Sequence, residues 1–244
     1  MANWSDPRTT FNSSPTSAGR EAAVHAGLRS YMLSVYNYMA SGVLLTGIVA
    51  MLFANSAFGQ NILMNGGALR LVLMLAPIGL VMWLSFGIHR MAESTAKAIF
   101  WGYATLMGLS LSSIFLVYTG ASIAQTFFAT AAAFASLSLY GYTTKKDLSG
   151  FGTFLIMGLV GLLVASVINM FMQSSAMDLV ISFVGVLLFA GLTAYDTQKI
   201  KSMYFEVQGS AFMGKAVVMG ALQLYLDFIN MFLFLLRFMG NNRN

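Results

Sequence analysis

The chain has 244 residues, of which 58% are hydrophobic and only 9% charged; 13 Lys/Arg against 8 Asp/Glu leave a net charge of +5. Ordinary soluble domains carry about 25% charged residues, so this composition excludes a soluble globular enzyme, a disordered chain and a nucleic-acid binder. The basic residues are spread along the chain rather than gathered in a patch. Cysteine is absent, which removes disulfides, thiolate metal sites and cysteine nucleophiles.

What is left is a polytopic helical membrane protein, since the short alternating segments of an outer-membrane barrel do not occur. Residues 1–30 are polar, with Pro7, Pro15 and several Ser/Thr, and read as a mobile cytoplasmic tail ahead of a transmembrane domain over 31–244. The first apolar run begins near Tyr31, too far in and too long for a cleaved signal peptide, so it stays as the first anchor. Seven runs follow at 31–54, 70–88, 98–118, 121–141, 152–172, 177–199 and 213–239, each near the roughly 20 residues that span a bilayer. Backbone facing lipid must satisfy its own polar groups, so each run is a helix.

Orientation follows from the cations. With seven spans, Arg8, Arg20, Arg29, Arg90, Lys97, Lys145, Lys146, Lys199, Lys201 and Lys215 share one side, and Arg70, Arg237 and Arg243 the other. The positive-inside rule then places the N-terminus in the cytoplasm and the C-terminus outside. Six or eight spans would break this alternation.

A charge at the bilayer centre costs at least about 2.5–3.5 kcal/mol, so intramembrane acids carry the most information. Six of the eight acids fall in the tail or in loops. Asp196 sits near the inner end of the sixth run and Asp227 well inside the seventh. At 1.5 Å per residue, Asp196 lies about 5 Å below the inner edge and Asp227 about 10 Å, provided the first turns of the seventh helix project into the cytoplasm. The two can then meet. On the seventh helix Gly220, Gln223, Asp227 and Asn230 share one face, which lipid would penalise, so that face should meet protein or a water-filled path. On the fifth, Gly158, Gly161, Ala165 and Asn169 align as a small-residue face for close helix packing, with Asn169 a candidate lining residue. The plainer readings are packing faces for both stripes and an interfacial Asp196–Lys199 pair.

Two carboxylates in a low-dielectric site cannot both ionise comfortably. They either share a proton or bind a hard cation such as calcium through oxygen, to which Asn230 could add a ligand. The pair is thus a candidate pH sensor and candidate calcium site on an ion pathway. His25 in the tail and the interfacial His89 are too far apart in sequence for a zinc motif. Ser110, Ser112 and Ser113 are expected to bond back to their own helix.

Three segments, Leu192-Thr-Ala-Tyr-Asp-Thr-Gln198, Leu224-Tyr-Leu-Asp-Phe-Ile-Asn230 and Tyr140-Gly-Tyr-Thr-Thr-Lys-Lys-Asp-Leu-Ser149, resemble the transmembrane Bax-inhibitor motif family, and among its members the bacterial inner-membrane ones. The resemblance runs from about Tyr31 to the C-terminus. It implies an all-α fold of seven transmembrane helices, the seventh wrapped by the first six. It also implies a pH-sensitive calcium leak controlled by an aspartate pair matching Asp196 and Asp227. In some members an arginine at the cytoplasmic end of the second helix holds the pair closed; Arg90, in Gly87-Ile-His-Arg-Met91, stands in the corresponding place. Where the calcium-leak members have a basic run, this chain has one Arg and a His, and Arg90 also reads as a positive-inside anchor.

The expected protein is a monomeric calcium leak channel or transporter of the bacterial inner membrane, with a periplasmic C-terminus, gated by protonation of Asp196 and Asp227. It is not expected to be an enzyme or to carry a resident cofactor; its partners are the lipid bilayer, calcium ions and protons. The alternative is a non-conducting regulator that binds other membrane proteins, such as quality-control proteases. An intramembrane aspartyl hydrolase is chemically conceivable, but the motifs lack glycine-flanked aspartates.

Overall fold

The computed structural model describes residues 17–88 and 90–241. The described residues form nine helices: α1 (Ser17–Asn55), α2 (Ala57–Asn65), α3 (Gly67–Gly87), α4 (Glu93–Leu111), α5 (Ile114–Val117), α6 (Gly120–Thr143), α7 (Ser149–Met172), α8 (Ser175–Val207) and α9 (Met213–Met239). With α4 and α5 counted as one crossing, seven are long and apolar enough to span a membrane. Their outer faces carry large apolar side chains such as Phe86 and Phe171, each 79% exposed, a surface suited to hydrocarbon rather than water.

Helix ends follow local chemistry. Ser56, Thr119 and Ser174 cap α2, α6 and α8 by accepting from the backbone N–H of Gly59, Ser122 and Met177. Gln173, at φ 51°, turns α7 into α8 through the left-handed region. Ser112 and Ser113 donate to the carbonyls of Leu109 and Ser110, as the sequence suggests, at the break between α4 and α5. Ser110 instead reaches across to the Met74 carbonyl on α3, at 3.5 Å.

Two segments depart from the sequence reading. The first helix begins at Ser17, so residues 17–30 are helical rather than a tail, and Leu28 is buried. Ala22, Ala23 and Ala26 are strong helix formers, and hydropathy does not register them. Residues 1–16 lie outside the described residues. The sixth crossing runs on past Lys199 to Val207. Its 33 residues rise about 50 Å, against about 30 Å of hydrocarbon.

The seventh crossing, α9, is the hub. Of its most apolar 18-residue window 67% is buried, against 11–39% in the other spans. It packs on α8, α1, α6 and α4, while α3 packs chiefly on α4 and α7 on α8. Two hydroxyl networks pin this arrangement. Tyr225 on α9 lies 2.7 Å from Thr46 on α1, whose hydroxyl donates to the Ala104 carbonyl on α4; the rings of Phe100 and Tyr103 meet Tyr225 edge-on. Ser138 on α6 bridges Tyr36 on α1 and Thr197 on α8, at 2.5 and 2.9 Å. Interhelical side-chain bonds in membranes average about 0.6 kcal/mol each.

Among the glycines that face the backbone of another crossing, Gly141 of α6 approaches most closely, and a Cβ there would run into the Ala194 carbonyl oxygen of α8. Backbone cannot yield as a side chain can. Gly141→Leu should therefore force the helices apart and destabilise the bundle by about 1–3 kcal/mol or more. Gly161→Leu, with nothing within 4 Å of the added Cβ, should leave the melting temperature in detergent nearly unchanged. Equal melting temperatures for the two variants would refute this packing.

Candidate functional site

Residue chemistry places α8 and α9 side by side: each carries one buried acid, Asp196 and Asp227, that lipid could not solvate. Asp196 and Asp227 are both 4% exposed. Their carboxyl groups are close enough to interact directly, and Gln223 lines the same cavity beside them. Asp227 Oδ2 is buried without a donor. Thr193 and Thr197, flanking Asp196, return their hydroxyls to the Phe189 and Thr193 carbonyls of their own helix, so neither serves the pair.

A cavity of about 460 Å³ opens beside the pair, between α7, α8 and α9. Gln223, Asp227 and Asn230 line it from α9, Asp196, Tyr195 and Lys199 from α8, and Ser166 with several leucines from α7. The Asn230 amide nitrogen donates to the Leu226 carbonyl, which leaves its carbonyl oxygen as the group available to a ligand. A second cavity of about 290 Å³ lies at the end bearing Lys145 and Lys146, and Tyr195 and Lys199 line both. Gln198 ties the loop between α6 and α7 to α8, accepting from the Leu148 N–H and donating to the Lys146 carbonyl. In that vestibule, the hydroxyl and backbone N–H of Ser149 hold the Asp147 carboxyl below the usual carboxylate range. Its stability contribution, present above the ordinary aspartate value, is lost only as pH falls through that lowered value. Asp147 therefore stays ionised through the neutral range and gives no pH response there.

Towards the opposite end the path closes. Phe189 and Phe234 stack at 5.8 Å, with Phe234 seated against Gly185. Beyond them Arg237 pairs with Asp178, its Nε donating to Oδ2 at 2.9 Å.

Several sequence-based assignments land elsewhere. Asn169 does not line the cavity; it sits at the junction of α7 and α8, accepting from the Ser174 N–H and donating to Asp178 at 3.4 Å. Gly161 faces open space, so the packed face of α7 runs instead through Gly152, Leu155, Leu162 and Asn169. Gly220 leaves the polar stripe and packs on Ile200 and Val35. Arg90 is exposed and forms no ion pair among the described residues; its loop docks instead on the start of α9, where Lys215 Nζ donates to the Met91 carbonyl. The charged group that does stand at the pair is Lys199, which the sequence suggests only as a surface partner of Asp196. His89 lies outside the described residues.

Comparison with known proteins fits this architecture. The family described as inhibitor of apoptosis-promoting Bax1 matches residues 28–244. The chain is 47% identical over 220 residues to the inner membrane protein YbhL of Escherichia coli, covering 89% of this chain and 94% of YbhL. It is 44% identical over 229 residues to an uncharacterized protein of Rickettsia prowazekii, covering 94% and 97% of the two chains. A Caulobacter vibrioides protein is 46% identical over 232 residues, covering 91% and 93%. With a family match over nearly the whole chain, seven apolar crossings and a close relative named for the inner membrane, the chain belongs to the Bax inhibitor-1 family as a multi-pass inner-membrane protein.

Proposed function

We propose that this protein is a pH-sensitive calcium leak channel or transporter in which protonation of the Asp196–Asp227 pair sets the flux. The observation that carries the reading is the pair itself: two buried carboxyl groups in mutual reach beside a cavity that also exposes Gln223 and Asn230. Two ionised carboxylates repel at that separation, whereas one shared proton turns the contact into a hydrogen bond. It also supplies a donor where buried acceptors outnumber donors. When the proton leaves, two negative charges face the cavity and favour a hard cation. Two carboxylates and two amides fall short of the six to eight oxygens calcium takes. Water then completes the shell and the ion is held loosely, as passage requires. Calcium is cargo in this reading, and no covalent bond is made or broken.

The shared lining of the two cavities supports access from the end rich in Lys, which the positive-inside rule assigns to the cytoplasm. The C-terminus then lies in the periplasm. A reporter fused after Asn244 should be active only outside the cytoplasm, and a cytoplasmic signal would overturn this orientation.

Calcium entry into proteoliposomes containing only this protein should vary with pH around neutral or mildly acidic values. Asp196→Asn and Asp227→Asn should each flatten that response, and the double variant should add little because the two acids act as one unit. Full pH sensitivity in either folded single variant would sink the shared-proton mechanism. No calcium entry at all in the wild type would favour a non-conducting regulator that binds other membrane proteins.

Lys199, at the mouth of the pair's cavity, opposes cation entry by its charge. Exposed charge pairs are worth up to about 1 kcal/mol, so Lys199→Gln should raise calcium entry by up to about fivefold. Arg90→Ala, remote from the pair, should match the wild type. The reverse ranking of these two variants in the same flux assay would restore Arg90 as the latch.

A further inference from the structure

A second concavity lies on the other side of the hub. Between α1 and α6 an apolar groove of about 710 Å³ runs along the bundle, floored by Phe228 of α9. The two helices flank it without packing on each other over any length. Along α1 the lining extends from Arg29 to Leu44, a rise of about 22 Å, which leads from the interface to beyond the middle of a hydrocarbon core about 30 Å thick. Val43, Phe127 and Phe228 continue it into a cavity of about 370 Å³ in the opposite half of the bundle.

A groove of this kind cannot hold water cheaply along apolar walls, and an empty one forfeits dispersion contacts along its length. Its one charged lining residue is a cation, Arg29, at the end where the basic loops cluster. Beside Arg29, Tyr142 closes the mouth, with Lys201 held over its ring and donating to its carbonyl. Neither cation has an ion pair among the described residues, and no acid lines the groove.

We infer that this groove is a binding site for one anionic phospholipid, its acyl chain lying between α1 and α6 and its phosphate meeting Arg29 at the mouth. Apolar length and unopposed positive charge coincide at one interface, which is the complement of a lipid carrying net negative charge. A zwitterionic lipid would satisfy the walls and leave the mouth's charge uncompensated.

The test is lipid retention by the full chain in native mass spectrometry, with phosphatidylglycerol and phosphatidylethanolamine of identical acyl chains added in turn. One molecule should be retained, with phosphatidylglycerol preferred. Arg29→Ala should weaken phosphatidylglycerol binding about fivefold, the factor for one interfacial cation, and leave phosphatidylethanolamine unchanged. Ala135→Trp, filling the groove from its exposed wall, should lower retention of both lipids at unchanged melting temperature. If that variant fails to fold, Ala40→Trp fills the groove from the facing helix and carries the same expectation. Equal retention of the two lipids by the wild type, or unaltered binding in Arg29→Ala, would overturn the site. A dimer mass lost on filling the groove would assign it to a second copy of the chain.

Discussion

The organisation of the bundle depends on one prohibition: an acid inside a bilayer must not face hydrocarbon. Asp227 lies within α9, flanked by Leu226 and Phe228, and its charge or proton has to be accommodated by protein. Once α9 is drawn inward for that reason, α8 must present Asp196 to it, and α1, α4 and α6 close on the remaining faces. The helices at the margin, α3 and α7, then take the lipid contact. The seventh crossing is accordingly the most buried although its sequence is not the most hydrophobic of the seven.

Hydroxyls do much of the fixing elsewhere. Without a hydrophobic difference between lipid and core, helices choose partners by close fit and by polar side chains that would be unsatisfied in lipid. Thr46, Tyr225, Tyr36, Ser138 and Thr197 meet that need across helix boundaries, and Gly141 brings α6 and α8 close beside them. The polar pair at Asp196 and Asp227 therefore sits in a frame that is rigid on the α6 side and hollow on the α7 side.

The seven crossings are legible in the sequence because the bilayer permits no other structure for such runs, and several polar residues embedded in those runs are legible as neighbours of one cavity. Gln223, Asp227 and Asn230 show themselves by helical spacing alone. What spacing cannot give is direction. A stripe of small residues on α7 has no sign telling whether it meets protein or lipid, and Gly161 turns out to meet neither helix nor side chain. Asn169 belongs to the same stripe but stands at the far end of the helix, where a turn needs its amide. The groove between α1 and α6 is invisible in the sequence because it arises where two helices meet at the Tyr36–Ser138 contact without packing along their length. The helical extension back to Ser17 escapes hydropathy because alanine and glutamate favour the helix without being greasy.

The stacked Phe189 and Phe234 bound one end of the α7–α9 cavity while its other end adjoins the vestibule at Lys145 and Lys146. This asymmetry has an electrical consequence. The transmembrane voltage falls across whichever part of a path excludes water, which along the proposed one is the aromatic half. A proton travelling from the vestibule to Asp196 crosses little of that field, whereas one arriving through the sealed half would cross most of it, a difference approaching about 2.3 kcal/mol at 100 mV. In the proposed mechanism, the aspartates would thus answer to the acidity of a single compartment and be shielded from changes in membrane potential.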